Sequence, residues 1–234
     1  MEKFDSIIFD LDGTLWNTID SALQCLKTVK NKHSDILHEL SEEDVRKAMG
    51  LPFEEGTKVY YGYLEKEKAE KYAKEAFMLN VENLKKHGGT LYPEVYDTIK
   101  QLSRNFRLYI VSNCLEGYIE AFLRNHHLED CFLDYENSGR TGLSKGENIK
   151  LVMQRNNLKN SIYVGDTIGD KRAADFAGIS FAYAVYGFGD VAEYDYKLDN
   201  ISDLLIILQE KENGDDFLAE RWEKSNELQY IDGS

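Results

Sequence analysis

Short apolar runs that alternate with helical patterns constrain this chain most. Ile7-Ile8-Phe9 is the first run, and it enters Asp10-Leu11-Asp12-Gly13-Thr14. Arg107–Ser112, Ser161–Asp166 and Ser180–Val185 repeat the pattern. Between the runs lie stretches with apolar residues at helical spacing. One opens at Pro93 with Tyr96, Ile99 and Leu102, and another spans Glu116–His126 with Ile119, Phe122 and Leu123. Two more cover Asn148–Asn156 and Ile168–Ala177, the last stopped by Gly178. Brief β-rich runs separated by helices predict βαβ units and therefore a parallel sheet of Rossmann-like type. Such sheets build their sites at the carboxyl ends of the strands. Three of these runs deliver a polar residue there, namely Asp10, Ser112 and Asp166.

Residues 16–90 break the alternation and show no convincing strand. Ser41-Glu42-Glu43-Asp44 has the form of a helix N-terminus, with an acid three positions after the cap, and its helix is expected to end at Gly50. A longer helix is expected from about Glu65 to His87, with Ala69, Tyr72, Ala73, Ala76, Phe77 and Leu84 on one face and Gly88-Gly89 as its stop. The expected organisation is thus an α/β core of residues 1–15 and 91–211, with a helical cap of residues 16–90 inserted into it. Leu204–Leu208 resembles the last core helix. Residues 212–234 form an acidic extension with seven acids against two bases.

Length and charge narrow the function. At 234 residues the chain fits one large domain, or one domain plus an insertion. With 42% hydrophobic and 12% aromatic residues it is too apolar for a disordered segment. A net charge of −14 and the lack of any run of five basic residues argue against nucleic acid. No apolar run approaches the roughly 18 residues of a membrane span. Residues 1–5 carry no secretory pattern, and the three cysteines, Cys25, Cys114 and Cys131, are odd in number and form no CxxC pair. Reduced thiols in a cytoplasmic protein, monomer or homodimer, are expected.

The chemistry is carried by acids. Asp10 and Asp12 stand two apart at one strand end, and Asp166 and Asp170 stand four apart at another. Either pair alone has an ordinary explanation, an Asx turn at Asp12-Gly13 or acids in a helix's first turn. Together they bring four carboxylates toward one crevice, where they would repel strongly at low dielectric. A hard divalent cation with oxygen ligands resolves this, and Mg²⁺ suits a site completed by water and phosphate. Ser112-Asn113 offers a hydroxyl and backbone N–H groups. Lys145, in Gly142-Leu143-Ser144-Lys145-Gly146 just ahead of a helical pattern, offers a counter-charge.

Asp-Leu-Asp-Gly-Thr-Leu, the apolar strand ending in Ser-Asn, the loop lysine and Gly-Asp-Thr-x-x-Asp resemble, in order, the four motifs of the haloacid dehalogenase superfamily of phosphatases. The stretch after the first motif, with Gly50-Leu51-Pro52-Phe53, is similar to the helical cap of the phosphoglycolate-phosphatase-like branch. The resemblance implies Asp10 as nucleophile and Asp12 as general acid and base. It implies Thr14, Ser112, Asn113 and Lys145 as groups around the phosphate. It places Mg²⁺ on Asp10, the Asp12 main-chain carbonyl, Asp166 and Asp170. The implied reaction is hydrolysis of a small phosphorylated metabolite through an aspartyl-phosphate. One departure is Gly146, where many relatives carry proline. Dehalogenases lack the second and the metal acids, and phosphonatases replace the second Asp with Ala. Sugar phosphomutases usually carry a histidine just after the first motif, where this chain reads Trp16-Asn17-Thr18-Ile19-Asp20-Ser21-Ala22. The remaining alternatives are such a phosphomutase and a non-enzymatic scaffold that presents the acidic tail.

Other residues carry weaker signals. The five histidines show no metal-ligand spacing. Cys114 is expected to be a buried structural thiol, and Gly187-Phe188-Gly189 a turn. Trp16 and Phe53 either line the crevice between cap and core or pack the hinge and the cap.

Overall fold

The structure, a computed structural model, describes residues 3–213. The chain begins with β1 (Ser6–Phe9) and a short β2 (Trp16–Asn17). Four helices follow, α1 (Ile19–Lys32), α2 (Glu42–Ala48), α3 (Phe53–Tyr61) and α4 (Lys66–His87), and then β3 (Thr90–Leu91). The rest alternates: α5 (Val95–Leu102), β4 (Arg107–Ser112), α6 (Tyr118–His126), β5 (Phe132–Asn137), α7 (Ser138–Thr141), α8 (Lys145–Arg155), β6 (Ser161–Gly165), α9 (Ile168–Ala177), β7 (Ser180–Ala184), β8 (Tyr196–Leu198) and α10 (Asp203–Asn213).

Six strands form one parallel sheet in the order β5-β4-β1-β6-β7-β8. The alternation of side chains across each strand divides the core into two layers. Ile7, Phe9, Leu108, Ile110, Ile162 and Val164 face one side, where α5, α6 and α10 add Ile99, Phe122 and Leu204. Ile8, Tyr109, Val111 and Tyr163 face the other, against Ile149 and Val152 of α8 and Ala174 of α9. A sheet buried on both faces needs apolar residues at every position, which is why β1, β4 and β6 read as continuous runs. The chain winds outward in both directions from β1, so the switch point of the sheet lies at its carboxyl end.

The four helices α1–α4 gather a third apolar cluster, with Ile19, Leu26, Val29, Val45, Tyr61, Tyr72 and Ala76. Ser41 caps α2 in a full capping box with Asp44. α4 ends at Gly88, whose φ of 71° suits a residue without Cβ. The expectation of no strand in residues 16–90 is corrected at both ends. Trp16–Asn17 pairs antiparallel with Thr90–Leu91, drawing the entry and exit of the helical insertion together. Two-residue strands leave no readable period. Trp16 is fully buried at this junction, edge-on to Tyr118, Phe122 and His126, so it packs the hinge.

β5 and β8 lie at the sheet edges and went unread in the sequence. In β5 the charged Asp134 and Glu136 interrupt the apolar pattern, and both are paired by Arg155 at 2.6–2.7 Å. The three cysteines are free and buried. Among the described residues no helix is long and apolar enough to cross a membrane. The acidic extension beyond α10 lies outside the described residues.

Candidate active site

The carboxyl ends of β1, β4 and β6 stand side by side, and each delivers its polar residue to one place. Asp10 follows β1 and is tied into the sheet through its N–H to the Val164 carbonyl at 2.8 Å. Asp166 follows β6, and Ser112 ends β4. The Asp10, Asp166 and Asp170 carboxylates each place an oxygen within 4.8 Å of the others, and all three are buried. Lys145 Nζ joins the group, donating to Asp10 Oδ1 at 2.9 Å and Asp170 Oδ1 at 2.6 Å. Asp170 Oδ2 accepts from the Asp166 and Thr167 N–H groups and from Thr167 Oγ1, which closes a capping box at the start of α9. Asp166 accepts from the Phe188 N–H at 2.7 Å and from Thr14 Oγ1 at 3.3 Å.

Backbone shape permits this crowding. Gly13 has φ of 81°, and a Cβ there would stand 2.2 Å from Asp166 Oδ2. Gly187 approaches as closely on the other side, where a Cβ would stand 2.3 Å from the Asp166 Cβ. The turn expected at Gly187–Gly189 thus brings a backbone donor against an acid. Gly146, the departure from the family pattern, has a spatial cause. The Phe176 ring lies 2.7 Å from where a Cβ would sit.

The charges do not balance. Burial pushes the Asp10 carboxyl up, and the neighbouring Asp170 charge adds to the rise against the opposing pull of Lys145. Asp166 is driven well above the usual carboxylate range by burial, then by Asp170 and Asp10. Burial alone would strip the proton from Lys145, but Asp10 and Asp170 outweigh it and raise the ammonium above its usual value. One cation facing three buried acids is the environment in which a metal ion is bound. Three buried carboxylates against one ammonium make a net-negative, all-oxygen donor set, which is hard, so these residues fit a divalent cation such as Mg²⁺.

Asp12 sits apart from the acid cluster. Its Oδ1 accepts from Thr18 Oγ1 and from Tyr118 Oη, each at 2.9 Å. Burial raises its carboxyl to about 6, against the lowering effect of those two hydrogen bonds. Beside it opens a cavity of about 130 Å³ between the core and α1–α4.

Among the sequence candidates, Asp10, Lys145, Asp166 and Asp170 meet in one cluster, with Asp12 and Ser112 bordering the adjoining cavity. Three placements differ from expectation. Lys145 is the first residue of α8 rather than a loop residue, because the Ser144 cap starts the helix three residues, about one turn, before the expected start at Asn148. The Thr14 hydroxyl is turned to Asp166. The Asn113 side chain is engaged across the molecule, donating to the Gly50 carbonyl at 2.9 Å and accepting from Ser138 Oγ at 3.0 Å, so its carboxamide ties the β4 end to the insertion. Tyr118, Thr18 and the Phe188 N–H were missed. Tyr118 reads as one more apolar position on a helix, and a backbone donor carries no residue identity.

A buried acid cluster with a lysine at the switch point of a parallel sheet defines an enzyme of the α/β class. The sequence model of haloacid dehalogenase-like hydrolases matches residues 7–184, and the chain belongs to that family. It is 28% identical over 225 residues to the pyrophosphatase PpaX of Listeria monocytogenes, spanning 90% of this chain and 99% of that protein. PpaX of Anoxybacillus flavithermus is 28% identical over 219 residues, 88% and 97% of the two chains. Among solved structures, a haloacid dehalogenase-like hydrolase of Streptococcus pneumoniae superposes with a TM-score of 0.78 at 21% identity, over 88% of this chain and 99% of that one. A predicted phosphoglycolate phosphatase of Haemophilus somnus gives 0.77 at 22% identity, with 88% and 99% covered. At these identities the structural matches speak for the fold.

Proposed function

We propose that the chain is a Mg²⁺-dependent phosphatase that hydrolyses a small phosphomonoester through an aspartyl-phosphate on Asp10, with α1–α4 acting as a cap over the site. The observation that carries this reading is the state of Asp10. One of its oxygens is held by Lys145, and the other is buried without a partner. A carboxylate fixed at one oxygen and bare at the other is oriented to attack.

Asp10 Oδ2 attacks phosphorus in line, and the bond from phosphorus to the ester oxygen breaks. Asp12, held by Thr18 and Tyr118, gives its proton to the leaving oxygen, which departs as an alcohol. Asp12 then takes a proton from water, the water oxygen attacks phosphorus, and the bond to Asp10 breaks to release phosphate. Lys145 offsets charge on the phosphoryl oxygens, and Ser112 and the Asn113 main chain lie beside it as donors. Asp10, Asp166 and Asp170, with the Asp12 main-chain carbonyl, would hold the metal. Bound there, Mg²⁺ supplies positive charge against the phosphoryl oxygens and relieves the repulsion among the acids. The names of the PpaX relatives agree with phosphoryl hydrolysis as the chemistry. Three buried free cysteines agree with a reducing compartment.

Acetyl phosphate and p-nitrophenyl phosphate test the reading. The chain is expected to hydrolyse both with Mg²⁺ and neither in excess chelator. Asp10→Asn is expected to retain less than about 1% of the rate, since an amide cannot form the acyl-phosphate. A rate above a few per cent in that variant contradicts the covalent route.

A further inference from the structure

The cavity beside Asp12 is where the leaving group of a phosphomonoester would sit. It begins at the acid that protonates that group and runs between the core and α1–α4, so its walls select the alcohol. This inference rests on the phosphatase reading above.

Three features of the walls decide what fits. The first is charge. Among the described residues Asp12 is the only charged residue in the lining, and no lysine, arginine or histidine joins it. The cap arginine Arg46 lies outside the lining, stacked over the Phe188 ring at 5.4 Å and paired with Glu42. An anionic leaving group would therefore meet the Asp12 carboxyl beside a single nearby cation among the described residues, Lys145, whose ammonium is already engaged by Asp10 and Asp170. The second is polarity. The lining is mainly apolar, with Leu26, Met49, Leu51, Phe53, Ala73 and Phe77 among its residues. Among the polar lining groups, the Tyr118 hydroxyl is engaged by Asp12 and the Thr57 hydroxyl by the Phe53 carbonyl. Ser112 and Asn113 line the end nearest β4, where the phosphoryl group would lie, and the Asn113 carboxamide is engaged by the Gly50 carbonyl and Ser138. Tyr60 and Asn80 remain for the alcohol. The Tyr60 hydroxyl makes no hydrogen bond among the described residues. The Asn80 carboxamide accepts from Ser21 Oγ, and its nitrogen likewise has no protein partner. The third is size. About 130 Å³ is close to the roughly 150 Å³ of an apolar cavity that takes up one benzene ring.

We infer that the substrate is the monophosphate of a small, uncharged, largely apolar alcohol or phenol, one ring or a short branched chain in size. Tyr60 and Asn80 supply at most one or two hydrogen bonds to it. A carboxylate such as that of phosphoglycolate lacks a partner here, as does the second phosphoryl group of pyrophosphate. A sugar brings more hydroxyls than the walls satisfy, and each unmatched hydroxyl counts against binding.

The test compares kcat/KM with Mg²⁺ for benzyl phosphate, phosphoglycolate, pyrophosphate, glucose 6-phosphate and acetyl phosphate. Benzyl phosphate and phosphoglycolate both release an alkyl alcohol, so their ratio reports the cavity. Benzyl phosphate is expected to exceed the three polar substrates by about 100-fold or more, the discrimination typical of unmatched buried polar groups. Met49→Lys, at a half-buried wall position where a lysine has room to place its amine in the cavity, is expected to shift the ratio of benzyl phosphate to phosphoglycolate at least about tenfold toward phosphoglycolate. Phe53→Ala is expected to raise KM for benzyl phosphate at least about fivefold more than for acetyl phosphate, and an equal change on both overturns the assignment of this wall. Acetyl phosphate turnover reports that each variant is folded and chemically competent. Wild-type preference for phosphoglycolate, pyrophosphate or the sugar phosphate overturns the inference and leaves the phosphatase reading standing, as does a ratio unmoved by Met49→Lys in an active variant. Failure to hydrolyse any of the five overturns the phosphatase reading and this inference with it.

Discussion

At the scale of single residues, Asp10 and Asp12 show how two identical side chains two positions apart acquire different tasks. Asp10 belongs to the acid cluster and is bridged by Lys145, while Asp12 is turned to Thr18 and Tyr118 on the side of the leaving group. Removing the Tyr118 hydroxyl should therefore touch proton delivery more than phosphoryl attack. Tyr118→Phe is expected to lower kcat/KM for an alkyl phosphate about 10-fold or more, the loss of one hydrogen bond to a carboxylate. The same variant should stay within about threefold of wild type on p-nitrophenyl phosphate, whose leaving group needs little protonation. Equal losses on both substrates would show that Tyr118 acts on something other than Asp12.

At the scale of elements, β5 depends on charge where its neighbours depend on apolar burial. Glu136 is 2% exposed, and Arg140 and Arg155 each reach one of its oxygens at 2.7 Å. Burial alone would raise its carboxyl, but the hydrogen bonds from the two arginines prevail and hold it below the usual 4.5. A carboxyl with a lowered folded value stabilises the fold fully above the unfolded value, and that contribution fades as pH falls through the folded one. Glu136→Gln is expected to cost about 1–3 kcal/mol near pH 7, a fall of about 3–10 °C in Tm. The gap to wild type should narrow below about pH 4.5. A gap that is constant from pH 7 to pH 3 would contradict the assignment.

The same contrast explains what could be read before any coordinates. β1, β4, β6 and β7 are covered on both faces, so their runs are continuous and end where Asp10, Ser112 and Asp166 appear. β5 and β8 are edges, where charged and polar residues are tolerated because arginines or solvent satisfy them. β2 and β3 are too short to carry a period. Capping chemistry was legible at Ser41 and Gly178, since it depends on one residue and its near neighbours. It mislocated Lys145 by a single turn boundary, because Ser144 starts its helix ahead of the apolar pattern. The convergence of Asp10, Asp166 and Asp170 was legible because a parallel sheet aligns its strand ends. The contacts made by Tyr118, Thr18 and Phe188 were not, because they depend on how α6 and the loop after β7 meet β1.

At the scale of the molecule, sheet and helical insertion meet at a cavity and along α4. The insertion has its own apolar cluster, but Val81 and Leu84 of α4 join the core on one face of the sheet. Thr18 to Asp12, Asn125 to the Leu84 carbonyl and Asn113 to the Gly50 carbonyl add polar links between the two. The acid cluster is the least balanced part of the whole. If Mg²⁺ binds there, it should stabilise the protein by about 2.7 kcal/mol at a hundred times its Kd, which is about 5–10 °C in Tm. Asp166→Asn, which removes one charge from the cluster, should reduce that response. A melting temperature indifferent to Mg²⁺ would argue that Lys145 alone settles the charge.

The central claim is that phosphorus is bonded to Asp10 during turnover. Acid quenching within the first turnover, followed by mass spectrometry of the peptide that contains Asp10-Leu11-Asp12, reads this directly. With p-nitrophenyl phosphate, whose leaving group needs little protonation, the account predicts an acid-stable, hydroxylamine-sensitive phosphoryl adduct on Asp10 that forms faster than it decays in Asp12→Asn and is absent from Asp10→Asn. Turnover with no adduct on that peptide, or an adduct that persists when Asp10 is replaced, would contradict it.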